Sequence, residues 1–196
     1  LATRNVPSPA SAEFYAVSDL SVRGEIEGEN AVFTLSFIAD ARTRPCKIPL
    51  VSGEIACREA DLPRDAVLSR DDAGCFWLTL DSRGRQSVKF VFASRPVKDG
   101  DWRLTRFTIP LSAIREAAVK CDRDDLEVAF PGSLSVSRHK GPGNETMVTA
   151  FLGISDGFEM RWKPEIKKLE AERVVECVAN MIASAGVGAL HIDAVL

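Results

Sequence analysis

Apolar residues alternating with polar ones, broken at short intervals by turn residues, constrain this chain more than any other feature of its sequence. In Leu20-Ser-Val-Arg-Gly-Glu-Ile-Glu, positions 20, 22 and 26 are apolar and 21, 23, 25 and 27 are polar. Gly28-Glu29-Asn30 supplies a turn, and the chain returns through Phe33, Leu35 and Phe37 on one face and Thr34 and Ser36 on the other. Side chains on a strand point to opposite faces in turn, so this pattern gives each strand one buried and one wet face.

The same grammar recurs down the chain. Lys47–Leu50 and Gly53–Cys57 are predicted as two short strands around Val51-Ser52. Cys75–Leu80, Ser87–Phe92, Trp102–Ile109, Leu126–Phe130, Ser133–Ser137, Thr146–Leu152 and Phe158–Trp162 follow, each preceded by Gly, Asp, Asn or Pro residues. About a dozen short strands at this spacing predict an all-β, antiparallel β-sandwich with little helix, in one body or as two packed Ig-like sandwiches. Only Ser112–Lys120 is expected to turn helically. The organisation expected is a first half of a sandwich over 12–100, its second half or a second small domain over 101–164, and a linker with the start of a further β segment over 165–196.

The tail supports two readings. Val174, Val175, Val178, Met181 and Ile182 recur at helical spacing over 165–183. Equally, Leu190, Ile192, Ala194 and Leu196 alternate after Gly186 and Gly188, which suits strands over 172–183 and 187–196.

With a net charge of −3, the chain has no basic footprint for nucleic acid. No run approaches the roughly 18 apolar residues of a membrane span. Leu1–Ala12 is small, polar and Pro-bearing rather than a secretory leader, and with no Met at position 1 the chain is expected to be cut from a larger protein.

The strings Gly24–Phe37, Ile48–Gly53, Gly74–Leu80, Val88–Phe92, Phe107–Leu111, Leu126–Pro131 and Met160-Arg-Trp-Lys-Pro164 carry a resemblance. Together they resemble the β-sandwich ectodomain segments of large, uncharacterised bacterial envelope proteins. The resemblance implies a periplasmic or cell-envelope location, a non-catalytic structural or interaction role and an unknown protein or glycan partner. It also favours strands over helix in the tail, and it brings no catalytic residues.

Signatures of chemistry are sparse. No Gly-x-Ser-x-Gly, phosphate loop or His-Glu-x-x-His occurs, and no cofactor is expected. No two of the five cysteines have zinc-module spacing. Cys75 and Cys121 are expected in the core, Cys46 and Cys57 flank a possible hairpin that a disulfide could bridge, and Cys177 is the freest thiol. His139 is expected in an exposed loop, and His191 and Asp193 on one strand face. Asp71, Asp72, Asp122, Asp124 and Asp125 fall in turns and offer hard oxygens to Ca²⁺, although Asp also favours turns for its own sake. Trp162 alternates with Phe158 and Met160 and belongs to the core. Trp77 is out of phase with Phe76, Leu78 and Leu80, which makes it the candidate for stacking on a glycan.

Overall fold

A computed structural model describes residues 14–28, 30–113, 115–123, 125–141 and 145–165, and the backbone of 180–186 and 189–195. The first sheet is built from β1 (Tyr15–Glu27), β2 (Asn30–Ala41), β4 (Ile55–Asp61), β7 (Gly84–Ser94), β10 (Arg115–Cys121), β12 (Ser133–Lys140) and β13 (Thr146–Leu152). The second holds β3 (Cys46–Gly53), β5 (Ala66–Arg70), β6 (Phe76–Leu80), β8 (Val97–Asp99), β9 (Trp102–Thr108), β11 (Leu126–Ala129) and β14 (Gly157–Pro164). Their orders are β12-β13-β10-β1-β2-β7-β4 and β11-β14-β9-β3-β6-β5, with β8 beside β9. The architecture is an all-β sandwich.

Residues 101–164 feed both layers: β9, β11 and β14 join the second sheet, and β10, β12 and β13 the first. The sandwich, through Glu165, is one compact unit, and the residues after it belong to another. In that second unit β15 (Asn180–Gly186) pairs antiparallel with β16 (Ala189–Val195), so 180–183 are strand rather than helix. The remainder of the 165–183 stretch, beyond Glu165, lies outside the described residues.

Alternation is realised as burial. Phe33, Leu35 and Phe37 of β2 are interior, as are Leu20, Val22 and Ile26 of β1. Phe33 sits among three rings, 5.7 Å from Phe92, 4.9 Å from Phe107 and 5.5 Å from Phe158, centroid to centroid. Phe107 and Phe158 stack at 4.4 Å, and Phe90 extends the cluster toward Phe76. Each ring removed from water contributes about 1.5–3 kcal/mol, and well-placed ring pairs add about 0.5–1.5 kcal/mol. Gly24 makes room for this cluster: a Cβ there would stand 2.8 Å from the Phe33 ring and 2.9 Å from Val119. Trp162 is buried, as its phase with Phe158 and Met160 requires. A hydroxyl pair between Ser94 of β7 and Thr105 of β9 joins the two layers inside the core.

Four local expectations fail. The sheets are not wholly antiparallel, because β1 and β10 run parallel from Leu20↔Arg115 to Ile26↔Cys121. Residues 47–50 and 53–57 do not form a hairpin: Gly53, with φ 138°, passes the chain from β3 in one layer to β4 in the other. Its Cβ would lie 2.9 Å from the Arg106 carbonyl oxygen, so the crossing needs glycine twice over. Cys46 and Cys57 therefore sit in different sheets, both as free thiols. Finally, the expected helical turn over Ser112–Lys120 is the strand β10 from Arg115 onward, with Ala117, Val119 and Cys121 buried at alternate positions. Pairing on both sides, with β1 and β13, overrides the local Ala-rich preference.

Candidate functional site

Polar side chains converge on the outer face of the second sheet. Cross-strand pairing sets Arg106 of β9 opposite Glu159 of β14, and Nε donates to a carboxylate oxygen at 2.8 Å. Beside them Ser52 of β3 pairs with Thr108, which accepts the Ser52 backbone N–H at 3.1 Å and lies 2.8 Å from its hydroxyl. These residues, with Pro131, Ser155 and the edges of Phe107 and Phe158, line an open groove of about 430 Å³.

Trp102, at the start of β9, lies toward one side of this groove. Arg161 and Lys163 of β14 each stand 4.6 Å from its ring centroid. Lys163 also bridges to Glu127 of β11 at 3.1 Å. The alternation of Arg161 and Lys163 with Met160 and Trp162 is the sequence signal for this cationic face, and the apolar phase of Phe158, Met160 and Trp162 alone does not show it.

Trp77 lies farther along the same sheet, on β6. It is half-buried rather than open. Its indole Nε1 donates to Asp71 at 2.7 Å, and the Lys47 ammonium sits 4.5 Å from the ring centroid. Asp71 also accepts the backbone N–H of Cys75 at 2.8 Å, and its carbonyl accepts the N–H of Gly74. The Trp77 bond first, and the Cys75 N–H second, hold the Asp71 carboxyl below the usual aspartate range. Asp71 is thus the brace of the β5–β6 turn and the anchor of the indole.

The acidic turns are not assembled into one site. Asp71 and Asp72 lie at the β5 end of the second sheet, and Asp122 and Asp125 flank the entry to β11 at its other end. Both oxygens of Asp125 are taken by Arg123, at 2.7 and 2.6 Å. Asp124 lies outside the described residues. Among the described residues no group of three His, Cys, Asp or Glu side chains is placed to hold a metal ion.

His139 is exposed on the strand β12 rather than in a loop, opposite Met147. His191 and Asp193 lie two apart on β16, paired in register with Ser184 and Ile182. Cys121 is buried, and burial pushes its thiol up to about 11. Cys75 is only half-buried, contrary to the core position expected of it, and Cys177 lies outside the described residues.

Among the described residues one charged side chain is inside. Arg115, at the start of β10, is 3% exposed and donates from Nη1 to the Gly153 carbonyl at 2.9 Å. Its Nε and Nη2 have no partner among the described residues, and burial lowers its pKa, opposed by Asp156.

No protein-family model and no curated protein matches this chain. Its fold does match solved structures. An M1 zinc metallopeptidase from Deinococcus radiodurans, determined as a mutant bound to a Tyr-Ser-Ala substrate, is similar with a TM-score of 0.51 at 11% identity. A two-domain M1 zinc metallopeptidase, a mutant bound to L-tryptophan, gives 0.51 at 10%. In both, the similarity covers 88% of this chain and 44% of the other, so this chain spans less than half of the peptidases it matches. At that identity the likeness is one of fold.

Proposed function

We propose that this chain is a non-catalytic scaffold and interaction module of a larger protein of the bacterial cell envelope, outside the cytoplasm. The observation that carries the reading is where the polar groups lie. Apart from Arg115 and the buried thiols of Cys46 and Cys121, the described titratable side chains sit on outer faces and in turns, several in mutual pairs such as Arg106–Glu159, Arg44–Asp81 and Lys120–Glu145, while the interior is filled mainly with aliphatic and aromatic side chains. A nucleophile, base and orienting acid in hydrogen-bond sequence, as nucleophilic catalysis needs, do not occur among the described residues. The fold neighbours support the modular part of the reading, since a similar sandwich there makes up under half of a longer chain. The envelope location rests on the resemblance of the strand pattern to ectodomain segments.

The test is an assay of the purified chain against a panel of fluorogenic aminoacyl and glycoside substrates, with and without added zinc. No turnover is expected. Hydrolysis of any of them above the rate without protein overturns the reading. Location is tested separately by fractionating cells that express the native gene, where a cytosolic signal rejects the envelope assignment.

A second reading has its own observation. Trp77 and Trp102 both lie on the outer face of the second sheet, each beside cationic and acidic groups of the kind that bind sugar hydroxyls. A glycan array with tryptophan-fluorescence titration of hits tests it; no hit and no fluorescence change removes it.

A further inference from the structure

The first sheet overhangs the second at one edge. Val136 of β12 is paired with Ala150 of β13 and shares its face. Ala150 is wholly buried, yet Val136 is 49% exposed and Leu134 80%. The second layer therefore covers β13 and stops short of β12. On its far side β12 has no strand neighbour among the described residues, so a row of backbone N–H and C=O groups faces outward.

Edges of this kind are usually blunted by charge, by proline or by shortness. The opposite edge, β4, carries Arg58, Glu59 and Asp61. β12 is eight residues long, has no proline and keeps its charges at one end, in Arg138-His139-Lys140. Arg138 lies 3.5 Å from Glu165, whereas His139 and Lys140 are exposed. Ile154, 89% exposed in the loop after β13, adds apolar surface near the other end of the strand.

We propose that the β12 edge receives an extended peptide segment of a protein partner, added antiparallel as a further strand, with apolar residues at alternate positions and carboxylates at its N-terminal end. Antiparallel addition uses the more stable of the two ladders. It places the alternate apolar residues over Leu134 and Val136, and the carboxylates opposite His139 and Lys140. Main-chain hydrogen bonds give such contacts their affinity and side-chain positions their selectivity. Charge argues against a second copy of this chain: pairing β12 with itself sets His139 and Lys140 opposite Leu134 and Ser133, with no acid to receive them. This assignment rests on the interaction-module reading and names the class of partner.

The experiment is an amide NMR titration of the full 196-residue chain with the synthetic peptide Asp-Asp-Thr-Thr-Val-Thr-Val-Thr. Controls are the same residues in reverse order and a peptide with lysines in place of the aspartates. Saturable shifts confined to β12 and its partner positions on β13 are expected, with weaker binding as salt is raised. Val136→Lys and Leu134→Lys should each weaken binding at least about tenfold. Both sites are exposed, and an unchanged circular dichroism spectrum shows that each variant is folded. No shifts at β12, equal binding of the lysine peptide, or dimerisation through β12 without peptide overturns the proposal. Any of these results combined with continued absence of turnover leaves the module reading standing, so the two fail separately.

Discussion

Trp77 donates its indole N–H to Asp71 at 2.7 Å, across the turn that joins β5 to β6. The same carboxylate takes the backbone N–H of Cys75, so one exposed side chain closes the turn and fixes the tryptophan that follows it.

This brace makes part of the stability pH-dependent. The folded Asp71 carboxyl lies below its unfolded value, because both N–H donors favour the charged form. Its contribution is fully present above the unfolded aspartate range and is lost as pH falls through the folded value. Melting temperature followed from neutral to strongly acid pH should show this loss in the wild type, and Asp71→Asn should flatten that part of the profile. An identical acid profile in the variant would refute the assignment.

Gly24 is required by the space it leaves. Gly24→Ala drives a methyl into the Phe33 ring and Val119 across two neighbouring strands. Overpacking of this kind costs about 1–3 kcal/mol, read as a lower denaturant midpoint with an unchanged slope.

Phe33 lies at the centre of the aromatic cluster and touches rings from both sheets. Phe33→Ala should cost about 3–5 kcal/mol, measured by urea unfolding, because the surrounding rings can collapse only in part. A loss below about 1 kcal/mol would mean that the site refills, contrary to a close-packed interior.

Arg115 gives the opposite expectation. Two of its nitrogens are buried without partners among the described residues, and burial lowers its pKa. Arg115→Met keeps the length and removes the desolvated charge, so stability should hold or rise by about 1–2 kcal/mol in urea unfolding. A clear loss would show that the guanidinium is more fully engaged than its bond to Gly153.

The thiols should separate by accessibility. Cys57 is exposed, Cys46 and Cys121 are buried, and the Cys121 thiol is pushed up to about 11. Iodoacetamide at mildly alkaline pH, read by peptide mass spectrometry, should label Cys57 first of these three and Cys121 only on unfolding. Early labelling of Cys121 would contradict its place between β1 and β13.

The candidate site was only partly legible in the sequence. Trp77 stood out because it breaks phase with Phe76, Leu78 and Leu80, and it does lie on the outer face. Its partner Asp71 was legible only as a turn residue, since nothing local says that a carboxylate six positions earlier will reach the indole. The clamp on Trp102 needs residues about sixty positions away, brought alongside by the pairing of β9 with β14. Asp125 carried the same ambiguity as Asp71: turn preference and cation ligation select the same residue, and Arg123 settles how its oxygens are used here.

The sequence by itself determined strands such as β2, β6, β7 and β14 and the face each one buries, because alternation of apolar and polar residues is a local property of an extended chain; β10, whose Ala-rich stretch also suits a helix, was not among them. It determined the turns for the same reason, through the few residues that tolerate tight or left-handed backbone. Which strands pair was decided only in three dimensions. The parallel contact of β1 with β10, the parting of β3 from β4 at Gly53 and the place of β12 at the end of its sheet among the described residues depend on residues far apart in the chain. Each is set by how two sheets of unequal reach cover one aromatic core, a condition that no short stretch of sequence carries.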